Sequence, residues 1–114
     1  MESQLQIKKE TLGYVKELRE HFPEVLSLHD AFKEEVYGDG TISSKTKHLM
    51  AMAIALARGS MHCSISHTIL AVDLGATKDE VLEAFGVALA MGGTPVMSLG
   101  TKVMGVLKEK GKWE

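Results

Sequence analysis

Cysteine occurs once in this chain of 114 residues, at Cys63, so no intramolecular disulfide can form. That scarcity fits a reducing compartment. Proline occurs only twice, as Pro23 and Pro95, and both fall where a helix would start rather than inside one. No alternating run of β-branched residues is long enough for a strand. The N-terminal residues carry no apolar core of a secretory signal, so the cytoplasm is the expected location. No Gly-rich loop ends in Gly-Lys-Ser/Thr, which removes the common phosphate-binding motif. Neither charge sign dominates: the net charge is −2, with both signs spread along the chain. Nucleic acid and anionic membrane surfaces are therefore not expected partners.

The longest uncharged stretch, from Ala84 to Thr101, is interrupted by Gly92-Gly93-Thr94-Pro95 and flanked by Glu83 and Lys102. Two short buried helices fit it better than a membrane span. With 45% apolar and 25% charged residues, residues 1–114 read as one soluble domain.

Helical periodicity runs almost throughout. Leu5 to about Glu20 places Leu5, Leu12, Val15 and Leu18 on one side. Pro23 opens a second helix that ends at Tyr37-Gly38-Asp39-Gly40. Ser43 or Ser44 caps a third, running to about Arg58, whose middle is apolar all round and so buried. A fourth helix starts near Gly59 or Ser60 and ends at about Leu74, before Gly75. Thr77 and Glu80 form a capping box for a fifth. Thr94 as a cap followed by Pro95 opens a sixth, ahead of a polar tail from Lys108 to Glu114 in which Trp113 is expected to fray or to meet another subunit.

The fold class is all-α, with about six helices and a central antiparallel hairpin. Glycine and alanine crowd the last two helices, although each interior glycine costs about 1 kcal/mol relative to alanine. Close backbone approach explains such a pattern, either within the chain or between copies of it. Self-association is the expectation.

Chemistry concentrates in Arg58-Gly59-Ser60-Met61-His62-Cys63-Ser64-Ile65-Ser66-His67. Cys63 and His67 are one turn apart on one helix face. A thiol beside an imidazole, in the first turn of a helix, is placed to become a thiolate. Ser60, Cys63, Ser64 and His67 form a polar stripe that reads as the lining of a pocket. His62, next to the thiol, points elsewhere. The plain alternative is a buried cysteine acting as a small hydrophobe beside a core histidine. His48 is a solvated residue beside Lys45 and Lys47 on spacing alone. A hairpin with its apex near Gly59 nevertheless brings it within roughly one turn of His67.

The segment from Ile42 to about Val103 resembles the AhpD-like, carboxymuconolactone decarboxylase family. The resemblance rests on Ser44-Lys45-Thr46-Lys47-His48-Leu49, the alanine-rich stretch, the cysteine motif, Leu74-Gly75-Ala76-Thr77-Lys78-Asp79-Glu80-Val81 and Ala90-Met91-Gly92-Gly93-Thr94-Pro95. It implies an all-α, oligomeric protein, commonly a trimer or hexamer. The family includes thiol peroxidases and a lactone decarboxylase. Its peroxidase branch uses two cysteines three positions apart, a histidine and an upstream glutamate. Cys63 and His67 match the second cysteine and the histidine. Ser60 stands at the first cysteine and His48 at the glutamate.

The resemblance therefore implies an antioxidant hydroperoxide reductase that works through a single cysteine. Cys63 attacks the peroxide, His67 assists proton transfer, and His48 replaces the carboxylate. An outside thiol, or Cys63 of another subunit, resolves the sulfenic acid. Ser60, His62 and Ser64 are candidate supporting residues. Two alternatives stand beside this. One is decarboxylation of a small lactone acid, with Arg58 as the nearest anchor; the other is a degenerate oligomeric binding scaffold. No cofactor is expected. An open zinc site on Cys63, His67 and His48 lacks a supporting carboxylate, so no metal is expected either.

Overall fold

The computed structural model describes residues 2–114 as six helices: α1 Gln4–His21, α2 Pro23–Tyr37, α3 Ser44–Ala57, α4 Met61–Asp73, α5 Lys78–Gly92 and α6 Thr94–Glu109. No strand occurs among these residues. The architecture is the all-α one that the periodicity predicts, built on an antiparallel hairpin of α3 and α4, the most extensively packed helix pair. Both helices are buried along one stripe, with Leu49, Met52 and Leu56 of α3 joining Ala71 and Val72 of α4 in a core completed by α5 and α6. A smaller apolar cluster of Ile7, Ile65, Ile69 and Val106 holds α1 against α4 and α6.

The hairpin apex is fixed by backbone geometry. Ser43 caps α3 by accepting from the Thr46 N–H at 3.2 Å. At the other end Gly59 adopts φ +78°, a left-handed conformation that favours glycine. Its N–H donates to Leu56 O at 3.1 Å, and Ser60 N–H donates to Ala55 O at 2.8 Å. This pair of hydrogen bonds closes α3 and turns the chain straight into α4. The predicted capping box on α5 is present, with Glu80 N–H donating to Thr77 Oγ1 at 3.1 Å and Thr77 N–H donating to Glu80 Oε1 at 3.0 Å.

Four expectations need correction. The middle of α3 is not buried all round but along one stripe, with Met50 and Ile54 exposed on the other side. Thr94 is not a cap: Gly93, at φ +73°, occupies the N-cap position, and Thr94 is the first helical residue. The left-handed turn is already made at Gly93, so the helix begins one residue earlier than the Thr-Pro signal implies. The tail does not fray either. A left-handed Gly111 and the Lys112 N–H bond to Leu107 O, at 2.8 Å, fold it back. Trp113 is thereby packed on the core, with Lys78 and Lys108 over its ring at 5.4 and 5.6 Å. Finally, α1 does not bury Leu12 and Leu18, which are half exposed. It meets the core only through its first turns, at Gln4 and Ile7.

That first turn is anchored to the end of α6. The Glu109 carboxylate accepts from the Gln4 N–H at 2.7 Å and from the Ser3 hydroxyl. Gly105 leaves room for the Gln4 side chain, whose Cγ would lie 2.8 Å from an added Cβ. This anchor lays α1 across α4 and sets where Lys8 falls. By contrast α2 has no buried residue at all. It leaves Leu28 and Phe32 exposed at 74% and 62%, and is tied to α1 by the Arg19–Asp30 ion pair at 2.8 Å.

No helix among the described residues is long and apolar enough to cross a membrane. Part of the small-residue pattern reflects close packing within the chain, because a Cβ on Gly100 would run into the Phe85 ring. Gly100→Ala is expected to destabilise the fold by about 1–3 kcal/mol through overpacking, despite alanine's better helix propensity. Urea unfolding measures it, and a stabilised variant would contradict this packing.

Candidate functional site

Cys63 is the third residue of α4 and is exposed. It stands in the first turn, where backbone N–H groups have no partner within the helix. No side chain caps that end, since Ser60 occupies the N-cap position without a side-chain bond. His67 follows one turn later on the same face. His48 projects from the first half of α3 and is buried at 7% exposure, not solvated. The two imidazoles meet directly, Nδ1 to Nδ1, at 3.0 Å.

The axial offset expected from helix rise is therefore closed without a bridging water. A third ring completes the group. Tyr37, the last residue of α2, stacks on His48 at 4.6 Å between centroids and 7° between planes, and lies 5.2 Å from His67. Tyr37 was not singled out from the sequence, where it appears only as a helix end.

The contact between two Nδ1 atoms restricts protonation. One Nδ1 must carry hydrogen and donate while the other keeps its lone pair and accepts. Two imidazolium ions cannot make this bond. Burial pushes the His67 pKa down from 6.5 to about 4, helped by His48 and by the positive charges of Lys33 and Lys8. Burial first, then Lys33 and Lys8, also lowers His48. At neutral pH the pair is neutral and has one shared hydrogen. His67 is then a poor store for a proton but a strong acid once it holds one.

Cys63 and His67 form a wall between two cavities. The larger, about 680 Å³, is bordered by Ile42, Met50 and Ile54, with Lys47 and Arg58 at its polar part. The smaller, about 320 Å³, lies under α1 and α2 and is bordered by Lys8, Lys33, Arg19 and His48. Both fall within the usual size range of small-molecule sites, about 300–1,000 Å³.

The other candidates separate. Ser60 borders the larger cavity. Ser64 is fully buried, and its hydroxyl donates to Ser60 O at 2.6 Å, so it is turned away from the thiol and lines neither cavity. His62 turns toward α1, with Nδ1 3.2 Å from Thr11 Oγ1, on the rim of the smaller cavity. No group of three or more His, Cys, Asp or Glu side chains among the described residues is placed to hold a metal ion.

Sequence and structure comparisons place the chain among known proteins. The model of the carboxymuconolactone decarboxylase family matches residues 23–105. The chain belongs to that family. A carboxymuconolactone decarboxylase family protein of Legionella pneumophila, crystallised in its apo form, superimposes with a TM-score of 0.88 at 30% identity. That match covers 93% of this chain and 95% of the other. An uncharacterised protein encoded in the cox locus of Paracoccus denitrificans is 33% identical over 86 residues, covering 73% of this chain and 78% of its own length. An uncharacterised protein of Cupriavidus necator is 27% identical over 82 residues, covering 72% and 73%. The family match starts at Pro23, so α1 and its Lys8 lie outside it.

The neutral histidine pair links the site to stability. Between pH 6.5 and about 4 the unfolded chain binds a proton on His67 that the folded chain does not. The stability this difference contributes is complete above 6.5 and is lost as pH falls toward 4. Urea midpoints at pH about 7 and about 4.5 are expected to differ more for the wild type than for His67→Gln, which lacks the titration. Equal losses in the two proteins would show that His67 is not held neutral by the fold.

Proposed function

We propose that the chain is a single-cysteine, thiol-dependent hydroperoxide reductase with Cys63 as its nucleophile. The observation that supports this best is an exposed thiol one turn from a neutral, hydrogen-bonded histidine pair, on the wall of two cavities. The Cys63 thiol proton passes to His67, and the sulfur attacks the distal oxygen of R–O–O–H. An S–O bond forms as the O–O bond breaks. Sulfur is oxidised by two electrons to the sulfenic acid, and the peroxide is reduced to R–O⁻. The imidazolium of His67 then protonates the alkoxide to the alcohol.

With its low pKa, His67 gives up that proton readily, and His48 holds the ring by the shared Nδ1 hydrogen bond. Two equivalents of a small thiol return the enzyme: the first forms a mixed disulfide and water, and the second releases Cys63–SH and the oxidised disulfide.

The absence of a second cysteine makes the external thiol, or a partner subunit's thiol, part of the reaction. Self-association belongs to the same proposal. An α2 with no buried residue, and a projecting Met91 at 82% exposure on α5, leave apolar surface that a second copy of the chain would cover. Decarboxylation of a small acid stays as the second reading, because Lys47, Arg58, Lys8 and Lys33 offer more cationic anchors than the motif alone suggests.

The test is oxidation of the reduced protein by hydrogen peroxide and an organic hydroperoxide, followed by intact mass and sulfenic-acid trapping. Cys63 is expected to oxidise at least about 10²-fold faster than an ordinary free thiol, with a drop of about 10²-fold in His67→Ala, in line with loss of an acid–base group. Reversal by an added thiol completes the cycle. Oxidation no faster than that of a free thiol would remove the peroxidase reading. Activity on a lactone acid that survives Cys63→Ser would put the decarboxylase in its place. Native mass spectrometry of the same samples reads the oligomer, and a monomer would remove self-association.

A further inference from the structure

The smaller cavity has a chemistry that the hydroperoxide reaction does not require. Lys8 reaches it from α1 and Lys33 from α2, while Arg19 stands at the same wall. No aspartate or glutamate lines it. Arg19 is neutralised by Asp30, through two hydrogen bonds of 2.8 and 2.9 Å. Neither Lys8 nor Lys33 makes an ion pair with a carboxylate among the described residues. The polar contact of the Lys8 ammonium is the Ser66 hydroxyl, which is neutral.

Two like charges brought to one partly enclosed space repel each other and lose hydration, and no carboxylate among the described residues forms an ion pair with either ammonium. The Lys8 pKa is lowered first by burial and next by Lys33, with Cys63 acting in the opposite direction. A site of this kind is completed by an anion. Its floor is Cys63 and His67, with Ile7, Leu12 and Leu70 supplying apolar wall. An anion seated on the lysines therefore has its apolar part directed along the thiol.

We propose that this cavity binds the carboxylate of the substrate through Lys8 and Lys33, which makes the substrate a hydroperoxide of an aliphatic acid. The hydroperoxide half of this statement rests on the peroxidase reading; the carboxylate half does not. One carboxylate matches the two ammonium groups with a charge-assisted hydrogen bond to each. Because α1 carries Lys8, the N-terminal helix becomes a specificity element laid over a site that the family-matched segment builds.

Binding and turnover test the two halves separately. Octanoate and octanamide are titrated into the reduced protein and followed by amide chemical shifts and calorimetry. Octanoate is expected to bind at least ten times tighter than octanamide, with shifts centred on α1, Lys33 and Ser66. Lys8→Met and Lys33→Met should each remove most of that preference, and Lys8→Arg should keep it. Cys63 oxidation is then compared for an aliphatic acid hydroperoxide and for tert-butyl hydroperoxide. The acid-to-neutral rate ratio should fall at least fivefold in each methionine variant.

Equal affinity for octanoate and octanamide, or a rate ratio unmoved by both variants, overturns the carboxylate site. Preferential octanoate binding at the lysines together with an inert Cys63 upholds the site and refutes the peroxidase reading instead.

Discussion

The arrangement of this site depends on one hydrogen bond, between the Nδ1 atoms of His48 and His67 at 3.0 Å. It joins the two arms of the central hairpin one turn from the thiol, and Tyr37 stacked on His48 brings the end of α2 to the same point. The bond exists only while at least one ring is neutral, so it carries an electrostatic condition as well as a geometric one. The fold meets that condition by burying His48 and by placing Lys8 and Lys33 nearby, which makes added positive charge on the rings unfavourable. The same two lysines, on the proposed reading, attract the substrate's anionic end. On that reading one positive field both keeps the imidazoles neutral and selects the ligand.

Much of this was legible in the sequence because it is local. Capping at Ser43, the Thr77–Glu80 box and the breaks at Pro23 and Gly75 are decided by a few neighbouring residues, and the helix order follows from them. Cys63 and His67 are one turn apart whatever the tertiary structure. The misreadings arose where a local signal competed with packing. Thr94-Pro95 has the right residues for a cap, but the left-handed Gly93 makes the turn first. Trp113 sits in a lysine-rich tail and still finds the core, because Gly111 folds the chain back.

What remained illegible depends on contacts between distant segments. Helix rise treats α3 and α4 as parallel rods and leaves His48 a turn away from His67; the long imidazole side chains close that gap. Tyr37, Lys8 and Lys33 carry no motif, and nothing in their neighbours distinguishes them from ordinary helix residues. Ser64 illustrates the converse: its spacing put it on the polar stripe, yet its hydroxyl returns to the Ser60 carbonyl and serves the helix start. The family resemblance supplied His48 as a candidate, through its position at the expected glutamate. On the proposed reading, an imidazole in place of a carboxylate makes the relay group neutral rather than anionic, in keeping with the lowered pKa of His48.

The most direct test of this account is imidazole ¹⁵N NMR of His48 and His67 across acidic and neutral pH. The account predicts a neutral pair at neutral pH, one Nδ1 protonated and the other not, with His67 taking up a proton only near pH 4. Two rings titrating independently near 6.5, the ordinary value, would contradict it. In that case the shared hydrogen bond does not govern the site.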